Sequence, residues 1–294
     1  MIRGLFTSFV SESFLRRLPA LAAALGVATG ALAEMPETKS LDTNTAIAIR
    51  TPLTQLTKRS LHERMTADPL AFLKEAKENF EKTITDYTCT FSKQEVILGK
   101  MSEKQQMAVK CRHQPYSVLL DWTHNADQAK RALYVKDKIV GKKGEQYALV
   151  EPAGWLARLV VASVQRDIHG IDARKYARRA MDQFGFVNTL DLVIQFSDIA
   201  KASGELDLKY VGDDKVDGRP TYKFERRLPY AGENSKYPDA LLVVHMDQEW
   251  LVPTKCESFA DQRGQKLLGR YVLTDVDLNA GLSAADFNPD TLGF

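Results

Sequence analysis

A chain of 294 residues with 44% hydrophobic and 27% charged side chains can bury a sizeable core, as one large domain or two small ones. Its formal net charge is +2, and Arg3, Arg16, Arg17 and Glu12 account for it, so the chain beyond residue 33 is neutral. That balance excludes a global attraction to nucleic acid or to an anionic membrane surface.

The N-terminus reads as an address. Three arginines precede the apolar run Leu18 to Ala33, which ends in Ala31-Leu32-Ala33, an A-x-A cleavage signature. The run is shorter than the ~20 residues that span a bilayer, and no cysteine follows it to carry a lipid anchor. Residues 1–33 are therefore expected to be a signal peptide cleaved after Ala33, leaving a periplasmic protein that is not integral to the membrane. Residues 34–67 are polar without a sustained period and are expected to be a linker or arm.

Asp68-Pro69 is an N-cap followed by proline at the first helical position, and Leu70, Leu73, Lys77, Phe80 and Ile84 recur at helical spacing. Tyr87, Cys89, Phe91, Lys93, Glu95 and Ile97 then alternate with the period of a strand. Gly99-Lys100-Met101 supplies a turn, and Met107, Val109 and Cys111 lie on one face of the returning strand. A three-residue loop centred on Lys100 sets Cys89 opposite Cys111. In an oxidising compartment that register predicts a disulfide, with two buried free thiols as the alternative. Cys256 is expected to be a buried free thiol. Tyr116, Val118, Leu120 and Trp122 extend the meander.

Further short strands are expected at Ala132–Val135, Ile139–Val140 and Gln146–Val150. The apolar run from Trp155 to Val164 fits helix or strand and is read as helix. Asp172 to Met181 is basic and amphipathic. Its Arg174, Lys175, Arg178 and Arg179 are read as a solvated helix face, with an anion or headgroup site as the other reading of the same residues. After Gly185, Asn188 or Thr189 can cap a helix burying Leu190, Val193, Ile194 and Ile199. Strands are expected again at 206–211, 221–227, 241–247, 251–260 and 267–278. One domain spanning 68–294, with a helical insertion at about 155–202, accounts for the whole.

Catalytic grammar is absent from this sequence: it has no G-x-S-x-G, phosphate-binding glycine loop, H-E-x-x-H or paired C-x-x-C. Asp121, His124 and Asp127 lack a metal-ligand spacing and read as a solvated turn. Gly212 to Gly218, though acidic, lacks the calcium-loop spacing and reads as a hairpin turn. No cofactor, metal or catalytic residue is expected. Tyr87, Phe91, Tyr116, Trp122 and Tyr134 either pack a core or line an apolar ligand hollow.

Val216-Asp217-Gly218-Arg219-Pro220-Thr221-Tyr222-Lys223-Phe224, then Pro229, Val243 to Asp247, Leu251 to Lys255 and Gly269-Arg270-Tyr271, resemble the LolA-like outer-membrane lipoprotein-sorting superfamily. The pattern is closest to a branch of exported bacterial proteins of unknown function, which the stretch Tyr87 to Trp122 also fits. The resemblance implies an α+β fold: a strongly curved, half-open antiparallel sheet, an incomplete barrel, with helices on or lidding its concave face. It also implies a non-enzymatic periplasmic protein that holds a lipid, acyl chain or lipidated partner in that hollow. The alternative function is an envelope scaffold that binds a protein along its open sheet edge.

Overall fold

A computed structural model describes residues 57–154, 161–232 and 234–294. The expected signal peptide lies outside these residues, as does the polar segment up to residue 56. Two helices open the described chain, α1 (Lys58–Ala67) and α2 (Pro69–Thr83). Asp68 caps α2 as its sequence predicts, accepting from the Ala71 N–H at 2.9 Å, with Pro69 at the first turn. Residues 58–67 correct the expected arm: Thr57 caps a helix there, and Leu61 and Met65 enter the core. The polar residues that masked the pattern face outward, so its apolar stripe is only two residues wide.

Strands β1 (Asp86–Ile97), β2 (Lys100–Met101), β3 (Gln105–His113), β4 (Tyr116–His124), β5 (Ala129–Val135), β6 (Tyr147–Pro152) and β7 (Val164–Asp167) follow. A single helical turn α3 (Ile171–Arg174), a 3-10 turn at Met181–Gln183 and the long helix α4 (Phe186–Ala202) come next. The chain then returns to strands β8 (Asp207–Val216), β9 (Arg219–Arg227), β10 (Leu241–Asp247), β11 (Pro253–Phe259) and β12 (Leu267–Leu278), and ends in the short helix α5 (Pro289–Leu292). The strands form one antiparallel sheet in the order β7-β6-β5-β4-β3-β1-β12-β11-β10-β9-β8, with β2 paired to β1. The end strands β7 and β8 do not pair with each other, so the barrel is incomplete. Bulges interrupt the ladder at Thr88/Thr90, His245/Met246 and Tyr210/Gly212, where an extra residue bends the strand and increases its twist. This is the half-open curved sheet expected.

Its concave face is covered by α1, α2 and α4, which bury Phe72, Leu73 and Leu190 against Tyr222, Phe224, Val244 and Met246 of β9 and β10. Lys77 to Asp191 and Lys74 to Asp198, both at 2.7 Å, tie α2 to α4. The convex face of β4 to β6 is covered by the C-terminal tail, where Leu119 and Leu133 pack under Phe287.

The first hairpin departs from its expected register. Leu98 and Gly99, both at positive φ (49° and 77°), form a two-residue turn, and Val96 pairs with Met101. Ser102 then donates its N–H to the Glu95 carbonyl and accepts the Glu95 N–H on its hydroxyl, after which pairing resumes one place out of step. Cys89 consequently faces Val109 and Cys111 faces Tyr87. The two cysteines share a face as diagonal neighbours, and both are free, buried thiols, which corrects the expected disulfide. Cys256 is a buried free thiol, as expected.

The insertion is corrected too. Of the run 155–164, residues 155–160 lie outside the described residues, while Val164 starts the edge strand β7. Beyond Arg174 the basic segment is irregular rather than helical. Gly185 caps α4 in place of Asn188 or Thr189. Val140 makes only an isolated bridge to Gln146.

Candidate functional site

Between the sheet and the irregular segment 177–185 lies a hollow of about 850 Å³, its open mouth included. Its floor is Phe91 of β1, Met107 of β3, Leu120 and Trp122 of β4 and Leu273 of β12, and its roof includes Ala177, Met181 and Phe184. The floor follows from period 2: inward positions of adjacent antiparallel strands stack into one apolar patch. The roof owes its shape to two anchors. The Tyr116 hydroxyl lies 3.0 Å from the carbonyls of both Met181 and Phe184, and the Phe184 ring meets Phe91 edge-on at 5.0 Å.

Gly185 closes this segment at φ 95°, ψ 177°, a region only glycine adopts freely. A β-carbon here would stand 2.4 Å from the Tyr87 hydroxyl. That hydroxyl is buried beside the Cys111 thiol with no nitrogen or oxygen partner, and burial raises the phenol well above its usual range.

One end of the hollow is polar. Glu95 is 2% exposed and accepts from Lys93 at 3.0 Å, from the Tyr271 hydroxyl at 2.7 Å and from the Arg178 backbone N–H at 3.2 Å. Arg179 lies with its guanidinium 5.1 Å from the centre of the Tyr271 ring. A second hollow of about 1530 Å³, also open, borders the first and shares Trp122, Ala177, Arg179, Ala180 and Met181 with it.

The five aromatic residues singled out by sequence divide. Phe91 and Trp122 line the hollow, and Trp122 donates its indole N–H to Gln105 at 3.2 Å. Tyr87 is wholly buried in the core between Phe80 and Phe186. Tyr116 and Tyr134 stand behind the roof in a separate groove with Glu81, Asp182 and Asp191. Sequence did not single out Met181, Phe184 or Tyr271 as lining, and Arg179 entered only within the basic run read as a solvated face or an anion site. The only signal pointing to them was the apolar pair Met181 and Phe184 beside a basic run.

No catalytic constellation assembles here. Burial pushes the Cys111 thiol up to about 12 and Cys256 up to about 11, and raises Cys89 well above the usual thiol range, so none is a ready nucleophile. Asp121 pairs with Lys130 at 2.9 Å. Asp217 and Gly218, at φ 50° and 79°, make the tight turn between β8 and β9, as expected of that acidic run. Among the described residues no group of three His, Cys, Asp or Glu is placed to hold a metal ion.

Residues 84–292 match the model of a family described as "Protein of unknown function (DUF1571)". The chain belongs to that family. No curated protein matches it. Solved structures that resemble it include a DUF1329 family protein from Desulfovibrio piger, at 14% identity and TM-score 0.39, over 76% of this chain and 99% of that one. A LolA superfamily protein from Nitrosomonas europaea is similar at 11% and 0.34, over 75% and 97%. The lipoprotein LppX of Mycobacterium tuberculosis is similar at 12% and 0.36, over 77% and 99%. The family model thus coincides with the stretch whose turns and strands carried the LolA-like resemblance. No helix among the described residues is long and apolar enough to cross a membrane.

Proposed function

We propose that this family member is a non-enzymatic, exported binding protein that holds an apolar chain, from a lipid or a lipidated partner, in the hollow under residues 177–185. One observation carries the reading: the concave face is not filled by its own side chains. Over Phe91, Met107, Leu120 and Trp122 a hollow with a mainly apolar lining and a few polar groups at one end stays open, the make-up of a small-ligand site. An alkyl chain entering it gains ~25 cal/mol for each Å² of apolar surface removed from water. Export rests on the leader at residues 1–33, and the periplasm is the compartment it implies.

The scaffold alternative has less support at the β8 edge. That strand carries Asp207, Lys209, Asp213, Asp214 and Lys215 and a bulge at Gly212, and charges and bulges at an edge oppose strand addition. The test is saturable binding of the neutral probe N-phenyl-1-naphthylamine, followed by fluorescence. Ala180 borders both hollows, so Ala180→Trp should fill the space and abolish binding while the chain stays folded. Equal binding by the filled variant, or none by the native chain, would remove this function.

A further inference from the structure

A third cavity, about 700 Å³ with its open mouth included, adjoins the apolar hollow and shares Arg179, Gln183 and Tyr271 with it. Its lining differs in kind. Arg178, Arg179 and Arg226 contribute three guanidiniums against the single carboxylate of Asp239. Arg226 is 2% exposed, donates to the Val193 carbonyl at 3.0 Å and to Asp239 at 3.2 Å, and keeps a buried Nε with no partner. Arg178 and Arg179 have no carboxylate within ion-pair distance among the described residues, and Glu95, which accepts the Arg178 backbone N–H, is already paired with Lys93. The opposite neighbour, the larger hollow past Trp122, is lined instead by Asp127, Asp167 and Asp172 alongside its arginines.

We propose that this arginine-lined cavity is an oxyanion site that takes the carboxylate or phosphate head of an amphiphile whose chain lies in the apolar hollow. The proposal rests on the apolar-chain reading above and gives the ligand a direction. Positive charge held beside an apolar wall is costly until paired, and a guanidinium pairs best with a planar or tetrahedral oxyanion in a two-pronged hydrogen bond. Arg179 borders both spaces, so head and chain of one molecule can be held at once. The aspartates past Trp122 repel the same head, which fixes the polarity of binding.

The experiment uses the purified chain loaded with N-phenyl-1-naphthylamine, displaced by matched pairs: palmitate against hexadecanol, and 1-palmitoyl lysophosphatidate against 1-palmitoyl glycerol. The anionic member of at least one pair should bind about tenfold tighter, the worth of one charge-assisted hydrogen bond, and the preferred pair says which oxyanion is read. Arg179→Gln, whose side chain is only half-buried, should reduce that preference to about twofold, with the loss falling on the anionic member of the pair; a thermal melt checks its fold. Equal affinity within both pairs, or an equal loss for charged and neutral members in Arg179→Gln, would overturn the oxyanion site while the apolar hollow stands. Failure of the probe itself to bind would overturn both.

Discussion

The two halves of the sheet have the same curvature and opposite interiors. Where α1 and α2 cross β9 and β10 the concave face is filled: Phe72, Leu73, Leu190, Tyr222 and Phe224 are almost wholly buried. Over the outer part of β1, β3 and β4 the covering element is the stretch 177–185, which leaves a hollow between itself and the floor residues. Outside, the arrangement reverses. The tail packs on the open half, while the filled half carries a charged ladder of Lys223, His245 and Lys255 on adjacent strands. The difference teaches where stability and binding have been separated. One half is packed to hold the fold, and the other is left loose enough to admit a guest.

The largest expected effect compares a deletion in each half. Phe224 is fully buried, stacked on Phe72 at 5.7 Å, and Phe224→Ala should cost ~3–5 kcal/mol in urea unfolding by leaving a sealed cavity. Trp122→Ala should cost only ~1–2 kcal/mol, because its site already opens on a void. Similar losses at the two positions would show that the halves are equally packed.

Next is the roof hinge. Gly185→Ala should cost about 3 kcal/mol, from the positive φ and the collision with the Tyr87 hydroxyl together. With Tyr87→Phe the nearest atom becomes the ring carbon at 3.7 Å, so the double variant should recover ~1 kcal/mol or more, while Tyr87→Phe alone should cost little, since its hydroxyl has only the Cys111 thiol, a weak partner, to lose. Strict additivity in the unfolding free energies would refute the contact.

The smallest concerns the charged ladder. Burial, with Lys255 and Lys223 beside it and Asp214 and Glu257 opposing, pushes His245 down to about 4 from the usual 6.5. The unfolded chain therefore binds a proton over a range where the folded chain does not, and acidification favours unfolding. Stability is full above about pH 6.5 and falls by on the order of 2 kcal/mol on approach to pH 4. His113 is lowered also, by burial, and adds to the slope. His245→Gln should flatten the stability profile in this window, and an unchanged slope would mean that His245 is not held neutral.

Much of the sheet could be read from sequence because its turns announce themselves. Asp217-Gly218 fixes the β8–β9 hairpin, and the alternation of Met107, Val109 and Cys111 defines β3. The first hairpin misled because Leu98, a residue that ordinarily avoids positive φ, occupies the turn and moves its centre toward the N-terminus. The register of the cysteines moved with it. The hollow was less visible for a physical reason. Tyr87, Phe91 and Trp122 share one face and one period, and only the helices, which reach over Tyr87 but not over Trp122, decide which becomes core and which becomes lining. For Arg179 sequence left both readings open, a solvated face or an anion site, since a basic run on an irregular segment looks the same whether it faces water or a cavity.

The central claim is that the open half holds an apolar guest. It is met most directly by purifying the chain from its native envelope fraction under non-denaturing conditions, extracting it with organic solvent and analysing the extract by mass spectrometry. One long-chain amphiphile recovered in near-stoichiometric amount, and absent from Ala180→Trp prepared in parallel, is the predicted result. An extract indistinguishable between the two proteins would contradict it.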